Sequence, residues 1–216
     1  MSNLNRIIDK GLEEQSVMLS RMGELTYEVV ALSIEGYLNG AKVQSKVLEM
    51  SDMLLAMSNQ VEDKTFELIA RFQPVASDLR TIKSNMKIAY DFARYGRYAL
   101  DISYISERLG GLTECEEWIS RFIADMSEKV LTMVKTSVNA LKSHNPELAQ
   151  TVSKTEEEVD KMYFAFLDKL VKDTQAKNEC TISSVLVVRY LERIADHATY
   201  VAEAVVYIVT GKKLTL

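Results

Sequence analysis

"VRYLERIADHATYVAEAVVYIV", Val188 to Val209, is the stretch that decides the fold. Val188, Leu191, Ala195, Ala198, Ala202, Val205 and Val209 follow one another in alternating steps of three and four, the spacing of a helix face packed into a bundle. One residue past the inner seam positions runs a second stripe, Glu192, Asp196, Thr199 and Glu203. Like charges four residues apart cost a helix a few tenths of a kcal/mol. The Glu192/Asp196 pair therefore asks for a reason other than helix formation.

The segment upstream repeats the design, with Val152, Thr155, Val159, Met162 and Phe166 as its seam. Breakers divide the rest of the chain. Asn39 to Ala41 ends a helix that opens near Leu4, and "FQPVASD" separates a second from a third, with Ser77 and Asp78 as expected caps. Gly110 and Gly111 stop the third, and Thr113 with Glu116 predicts a capping box for the fourth. Asn145 before Pro146 reads as an N-cap with proline at the first helical position. A last break, Asp173 to Ser184, precedes a final helix that ends at Gly211. The result is six helices of about 25 to 35 residues, roughly 40 to 50 Å each, and short turns make them antiparallel neighbours. The fold class is all-α.

Composition agrees. The chain has 216 residues, 47% of them hydrophobic, with 2 Pro and 8 Gly, enough for a substantial core and few sheet turns. Its net charge of −5 argues against a nucleic-acid binder, which carries a basic patch. No signal-peptide core opens the chain and no apolar run reaches membrane length, so a soluble, cytoplasmic protein is expected. Cys115 and Cys180 lie 65 residues apart without metal-ligand spacing and are expected to be reduced. The ten methionines are expected in the core.

The breaks also give both halves one plan, three helices joined by two turns. "YDFARYGRYALDI", Tyr90 to Ile102, overlays "RYLERIADHATYV", Arg189 to Val201, with Arg94 on Arg193, Gly96 on Ala195 and Ala99 on Ala198. This predicts two tandem three-helix bundles, residues 1–111 and 112–216.

Glu156 and Asp160 flank the fifth-helix seam as Glu192 and Asp196 flank the sixth. If the helices are in register, four carboxylates converge on one patch. Such acids raise one another's pKa unless a cation neutralises them, and an all-oxygen set suits hard cations such as Mg²⁺, Ca²⁺, Mn²⁺ or oxidised iron. A plain acidic surface is the competing reading, strongest for the run Glu156, Glu157, Glu158. A ferritin-like di-iron site would want Glu-x-x-His motifs, whereas His197 directly follows Asp196 and points away from the stripe. His144 sits at a turn. There is no phosphate-binding glycine loop, nucleophile elbow or Cys/His dyad, so nothing calls for an enzyme. Arg80, Arg94 and Arg193 are expected to bridge to nearby acids rather than bind an anion.

"FQPVASDLRTIKSNMKIAYDFARYGRYA", Phe72 to Ala99, and "YLERIADHATYVAEAVVYIVTGKKL", Tyr190 to Leu214, resemble the two halves of the PhoU family of phosphate-uptake regulators. The matching features are Gln73-Pro74 to Leu79-Arg80 and Glu192-Arg193-Ile194-Ala195-Asp196, and the likeness spans essentially the whole chain. It implies a homodimer or higher oligomer that restrains phosphate import. The implied partners are the ATPase subunit of a phosphate ABC transporter and a sensor kinase, so that the membrane is met only through them. It also implies a metal ion or small cluster (iron, or Mg, Mn, Zn or Ca) held by acid, three residues, acid motifs. The second repeat keeps these motifs as Glu156, Asp160, Glu192 and Asp196, with Arg193 between the last two. In the first repeat the equivalent positions fall on Ser51, Leu55, Ala93 and Arg97, while Asp52, Asp91 and Asp101 lie on other faces. At most one metal site is therefore expected. Rival readings are a metal-storage protein and a helical adaptor for another ion transporter. The sequence offers no basic phosphate cradle, which implies that the chain follows a partner's state.

Overall fold

In a computed structural model that describes residues 2–112, 115–173 and 178–213, the chain forms α1 (Ser2–Asn39), α2 (Gln44–Phe72), α3 (Ala76–Leu109), α4 (Glu117–Ser143), α5 (Pro146–Lys172) and α6 (Asn178–Thr210). Helices α1, α2 and α3 pack as one three-helix bundle and α4, α5 and α6 as a second, and α3 lies along α6 where the two meet. Lys87 on α3 meets Tyr200 on α6, Asp91 meets His197, and Tyr98 meets Tyr190, so the two central helices run antiparallel. α2 flanks α3 and α5 flanks α6, while α1 and α4 touch each other on the other side.

The seam of α6 is the core of the second bundle. From Val188 to Val205 its six members are at most 1% exposed, whereas Val209 is 43% exposed beside the helix end. On α5, Val152, Val159 and Phe166 are buried, with Thr155 and Met162 half-buried. The methionines divide: Met22, Met50, Met126 and Met133 are buried, while Met53 faces outward. Polar cross-links fix the first bundle where burial would otherwise leave amides unpaired. The Gln15 side chain donates to Thr65 Oγ1 at 2.8 Å and accepts from Asn85 at 3.2 Å, tying α1, α2 and α3 together.

The turns follow the punctuation, with corrections to the caps. Asn145 Oδ1 accepts from the Leu148 N–H at 2.8 Å with Pro146 at the first position of α5, as its sequence predicts. Ser77 and Asp78 do not cap α3; they lie inside its first turn, and the chain enters through left-handed Gln73 (φ 46°) and extended Val75. Glu116 occupies the N-cap of α4 without capping it, because its carboxylate instead accepts from the Trp118 indole at 2.8 Å; Thr113 lies outside the described residues. The final break is shorter than expected. α6 already includes Ser183 and Ser184, and Ser183 meets the Tyr37 hydroxyl at 2.8 Å. Gly111 (φ 63°) is required as well as permitted, since a Cβ there would stand 2.8 Å from the Tyr37 carbonyl oxygen.

The expectation of two reduced cysteines is overturned. Cys115 and Cys180 form a disulfide with Cα atoms 5.5 Å apart. Their separation in sequence hides the cause: antiparallel α3 and α6 bring the end of α3, and hence the turn that follows it, beside the start of α6. No helix among the described residues is long and apolar enough to cross a membrane.

A cross-link closing a loop of this length stabilises mainly by restricting the unfolded chain. Reduction, or Cys115→Ser with Cys180→Ser, is expected to lower stability by about 2 to 4 kcal/mol in chemical denaturation. An unchanged midpoint would show that the bond is not made in solution.

Candidate metal centre

Because α5 and α6 are packed neighbours, the acids that follow their seams meet at the rim of the shared core. One carboxylate oxygen from each of Glu156, Asp160 and Asp196 lies within 4.8 Å of the others, and all three residues are half-buried. That spacing suits oxygen ligation of a hard cation. Glu157 and Glu158 turn outward instead, toward Lys161 (3.9 Å) and Lys129 (2.6 Å). Of the triple-Glu run only Glu156 belongs to the cluster.

Glu192, the fourth expected member, stands beside this trio rather than in it. It is buried, and its Oε1 accepts from Arg189 Nη1 at 2.6 Å, but Oε2 is buried with no hydrogen-bond partner. An orphaned buried carboxylate oxygen is costly unless something supplies positive charge. Asp196 is held by Arg193 at 2.9 Å through Oδ2. Thus Arg193 bridges to an acid, as expected for the arginines. Arg94 and Arg80 do not: Arg94 donates to the Tyr98 hydroxyl at 2.8 Å, and Arg80 lies against Gly211 and over the Tyr207 ring.

The electrostatics of the cluster are those of crowded acids. Burial, then the charges of Asp160 and Asp196, push the Glu156 carboxyl above its usual range. Burial raises Glu192 and Asp196 too, aided by neighbouring carboxylates and opposed by Arg189 and Arg193. Both arginines are themselves part-exposed, so their opposition is screened. Glu203, further along the same stripe, is not in the group; it lines a separate cleft beside Lys83 and Lys87.

His197 indeed points away from the acids. Its Nδ1 lies 2.8 Å from Asp91 on α3 and its Nε2 3.3 Å from the Tyr98 hydroxyl, both across the seam between bundles. This buried Asp-His-Tyr chain escaped the reading by motif. The available signal was periodic: Asp91 shares one helix face with Ile88 and Tyr95, a position that buries an acid and so requires a partner.

The profile of the PhoU domain matches residues 19–106 and again 123–205. The chain belongs to the PhoU family. Among its relatives is a PhoU homologue of Clostridium acetobutylicum, called a phosphate-specific transport system accessory protein, 33% identical over 98% of each chain. One from Synechocystis under the same description is 31% identical over 93% of this chain and 89% of its own. The crystal structure of PhoU from Pseudomonas aeruginosa superposes with a TM-score of 0.88 at 28% identity, covering 94% of this chain and 99% of that one. A Streptococcus pneumoniae PhoU structure shares the fold at a TM-score of 0.76 and 22% identity, over 97% and 100% of the chains.

Within this PhoU fold the first repeat has closed its equivalent position. Ser51 is fully buried under Gly96, whose Cβ would come 3.2 Å from the Ser51 Cα, so the helices approach too closely for a longer acid. Ala93 is buried, Leu55 is exposed, and Arg97 reaches toward Asp52 at 3.9 Å. No carboxylate cluster forms there among the described residues.

Glu156 generates a pH signature. Its proton is held more tightly in the folded state than in the unfolded chain, so the stability this contributes is complete below the ordinary carboxylate range and is lost as pH rises through the raised value. In chelator-treated protein, Glu156→Gln should exceed the wild type in stability at neutral pH by about 0.2 to 0.5 kcal/mol, the scale of a like-charge helix pair. The gap should close in acid. Denaturation midpoints across pH measure it, and a variant less stable than wild type at neutral pH would contradict it.

Proposed function

We propose that this chain is a non-enzymatic regulator of phosphate uptake that restrains a phosphate ABC transporter, or its signalling, by protein–protein contact. The observation that carries this reading is the likeness over 98% of both chains to a phosphate-specific transport system accessory protein, with both PhoU repeats matched. In this reading the protein is a cytoplasmic homodimer. It docks on the transporter's ATPase subunit and on a sensor kinase, and meets the membrane only through them. Its outer helices carry apolar side chains suited to docking: Leu55 and Phe66 on α2 are 39% and 58% exposed, and Val171 on α5 is 86% exposed.

The second repeat would hold a metal ion through Glu156, Asp160 and Asp196, with the orphaned Glu192 oxygen as a neighbouring charge. The donor set is all carboxylate, which fits iron in its oxidised form or Mg²⁺, Mn²⁺ or Ca²⁺ better than a soft ion. Bound there, the ion would supply positive charge that pins α5 to α6. It would serve regulation as a structural element, and metal storage would require more than this one site.

Affinity capture of the full chain from phosphate-replete and phosphate-starved cells tests the regulatory reading. Recovery of a transporter ATPase or sensor kinase, changing with phosphate supply, is expected; recovery of neither from either culture would count against it. Metal analysis tests the centre. Glu156→Gln with Asp160→Asn and Asp196→Asn should lose bound metal while keeping the helical circular dichroism of the wild type, and retained metal would sink the assignment.

A further inference from the structure

A second cleft lies on the α3/α6 seam, about two turns along α6 beyond the Asp196 of the carboxylate cluster. It has a volume of about 290 Å³ and is lined by Lys83, Ser84 and Lys87 of α3, Glu203, Ala204 and Tyr207 of α6, and Lys213 beyond the end of α6. The three lysines are exposed, and among the described residues none has an acid within ion-pair distance. In a chain with 31 acidic and 26 basic residues, an unpaired cluster of lysines runs against composition. Lys87 stands 5.2 Å from the Tyr200 ring centroid. Arg80 adds charge nearby, its guanidinium 5.9 Å from the Tyr207 ring and its Nε buried without a partner.

An independent observation points to a ligand. Ser84 is only 5% exposed, yet it lines the cleft and its hydroxyl has no hydrogen-bond partner in the protein. The little surface it keeps faces the cleft, so the hydroxyl is left to pair with whatever occupies that space, and an oxyanion can accept its proton in a hydrogen bond.

The pseudo-symmetry shows that folding does not require these groups. Extending the Arg94/Arg193 overlay along the third helices places Lys83 on Ile182, Lys87 on Leu186 and Glu203 on Tyr104. At that related end of the seam Ser183 bonds to Tyr37, and Ile182, Leu186 and Tyr104 are exposed apolar side chains. The same helix crossing is therefore built without the cations.

We propose that this cleft binds hydrogen phosphate. The lysines and the Ser84 hydroxyl supply donors to its oxygens, and Tyr207 adds a hydroxyl at the wall. Glu203 selects among oxyanions. A carboxylate has several acceptor sites, so whatever else it contacts it can accept the proton that hydrogen phosphate carries and sulfate lacks at neutral pH. The cleft exceeds one bare anion and leaves space for water around it. The site would give the chain its own contact with phosphate, independent of the metal centre and of any partner.

The test is equilibrium dialysis of the full-length chain with radiolabelled inorganic phosphate. Saturable binding is expected, weakened about tenfold or more by Lys83→Gln with Lys87→Gln, the scale of losing a charge-assisted hydrogen bond. Ser84→Ala should weaken it too. Lys42→Gln with Lys46→Gln makes the same charge change elsewhere on exposed side chains and should leave binding intact, and an equal concentration of sulfate should not displace the phosphate. Thermal denaturation confirms that each variant is folded. The proposal is overturned by no saturable binding, by equal losses in both lysine pairs, by displacement with sulfate, or by Lys83- and Lys87-dependent binding to phosphatidylglycerol vesicles without phosphate binding.

Discussion

The antiparallel crossing of α3 and α6 is the constraint on which the rest depends. Each is the third helix of its bundle, and each buries one side in its own core and another against its counterpart. Rings and polar groups meet across the seam: the His197 ring lies 5.5 Å from that of Tyr98, and Lys87 stands 5.2 Å from the Tyr200 ring. Asp91 and His197 add specificity to this interface. An acid and an imidazole 2.8 Å apart in the core fix one register, because any slip strands both without partners. The overlay of the repeats places Tyr190 on Asp91 and Tyr98 on His197, and that pair of rings also meets, 5.9 Å apart. One register is thus held twice, by a polar pair and by an aromatic one.

From that crossing follow features that look separate. It carries the α3–α4 turn to the start of α6 and so makes the Cys115–Cys180 bond. It places α2 and α5 at the outer edges, where each faces only one third helix. On the second-repeat edge the acids crowd at the core rim, repelled by burial and by one another. On the first-repeat edge Gly96 lets the helices close, and the corresponding space is gone. Two matches to one domain thus sit in a chain with one charged edge and one packed edge.

Much of this was legible in sequence because it is local. The seam from Val188 to Val205 is a matter of helical period, and Asn145-Pro146 carries its own cap chemistry, so both appear in the structure as read. Glu156, Asp160 and Asp196 were legible because two helices showed the same spacing. Glu192 was only half-read, since spacing says nothing of Arg189 closing on one of its oxygens. What escaped is what the crossing creates: the disulfide, the partners of His197, and the lysine cleft, whose members come from α3 and the end of α6. Ser77 and Asp78 misled for another reason. Both have the right chemistry for a cap, but the turn after Pro74 brings the helix start forward to Ala76.

The central claim is that this fold restrains phosphate entry. It is tested most directly by the initial rate of phosphate uptake at high external phosphate, in cells with and without this chain. Loss of the chain should raise uptake, and its return should lower it again. An unchanged rate in cells whose phosphate transporter is intact would contradict the account.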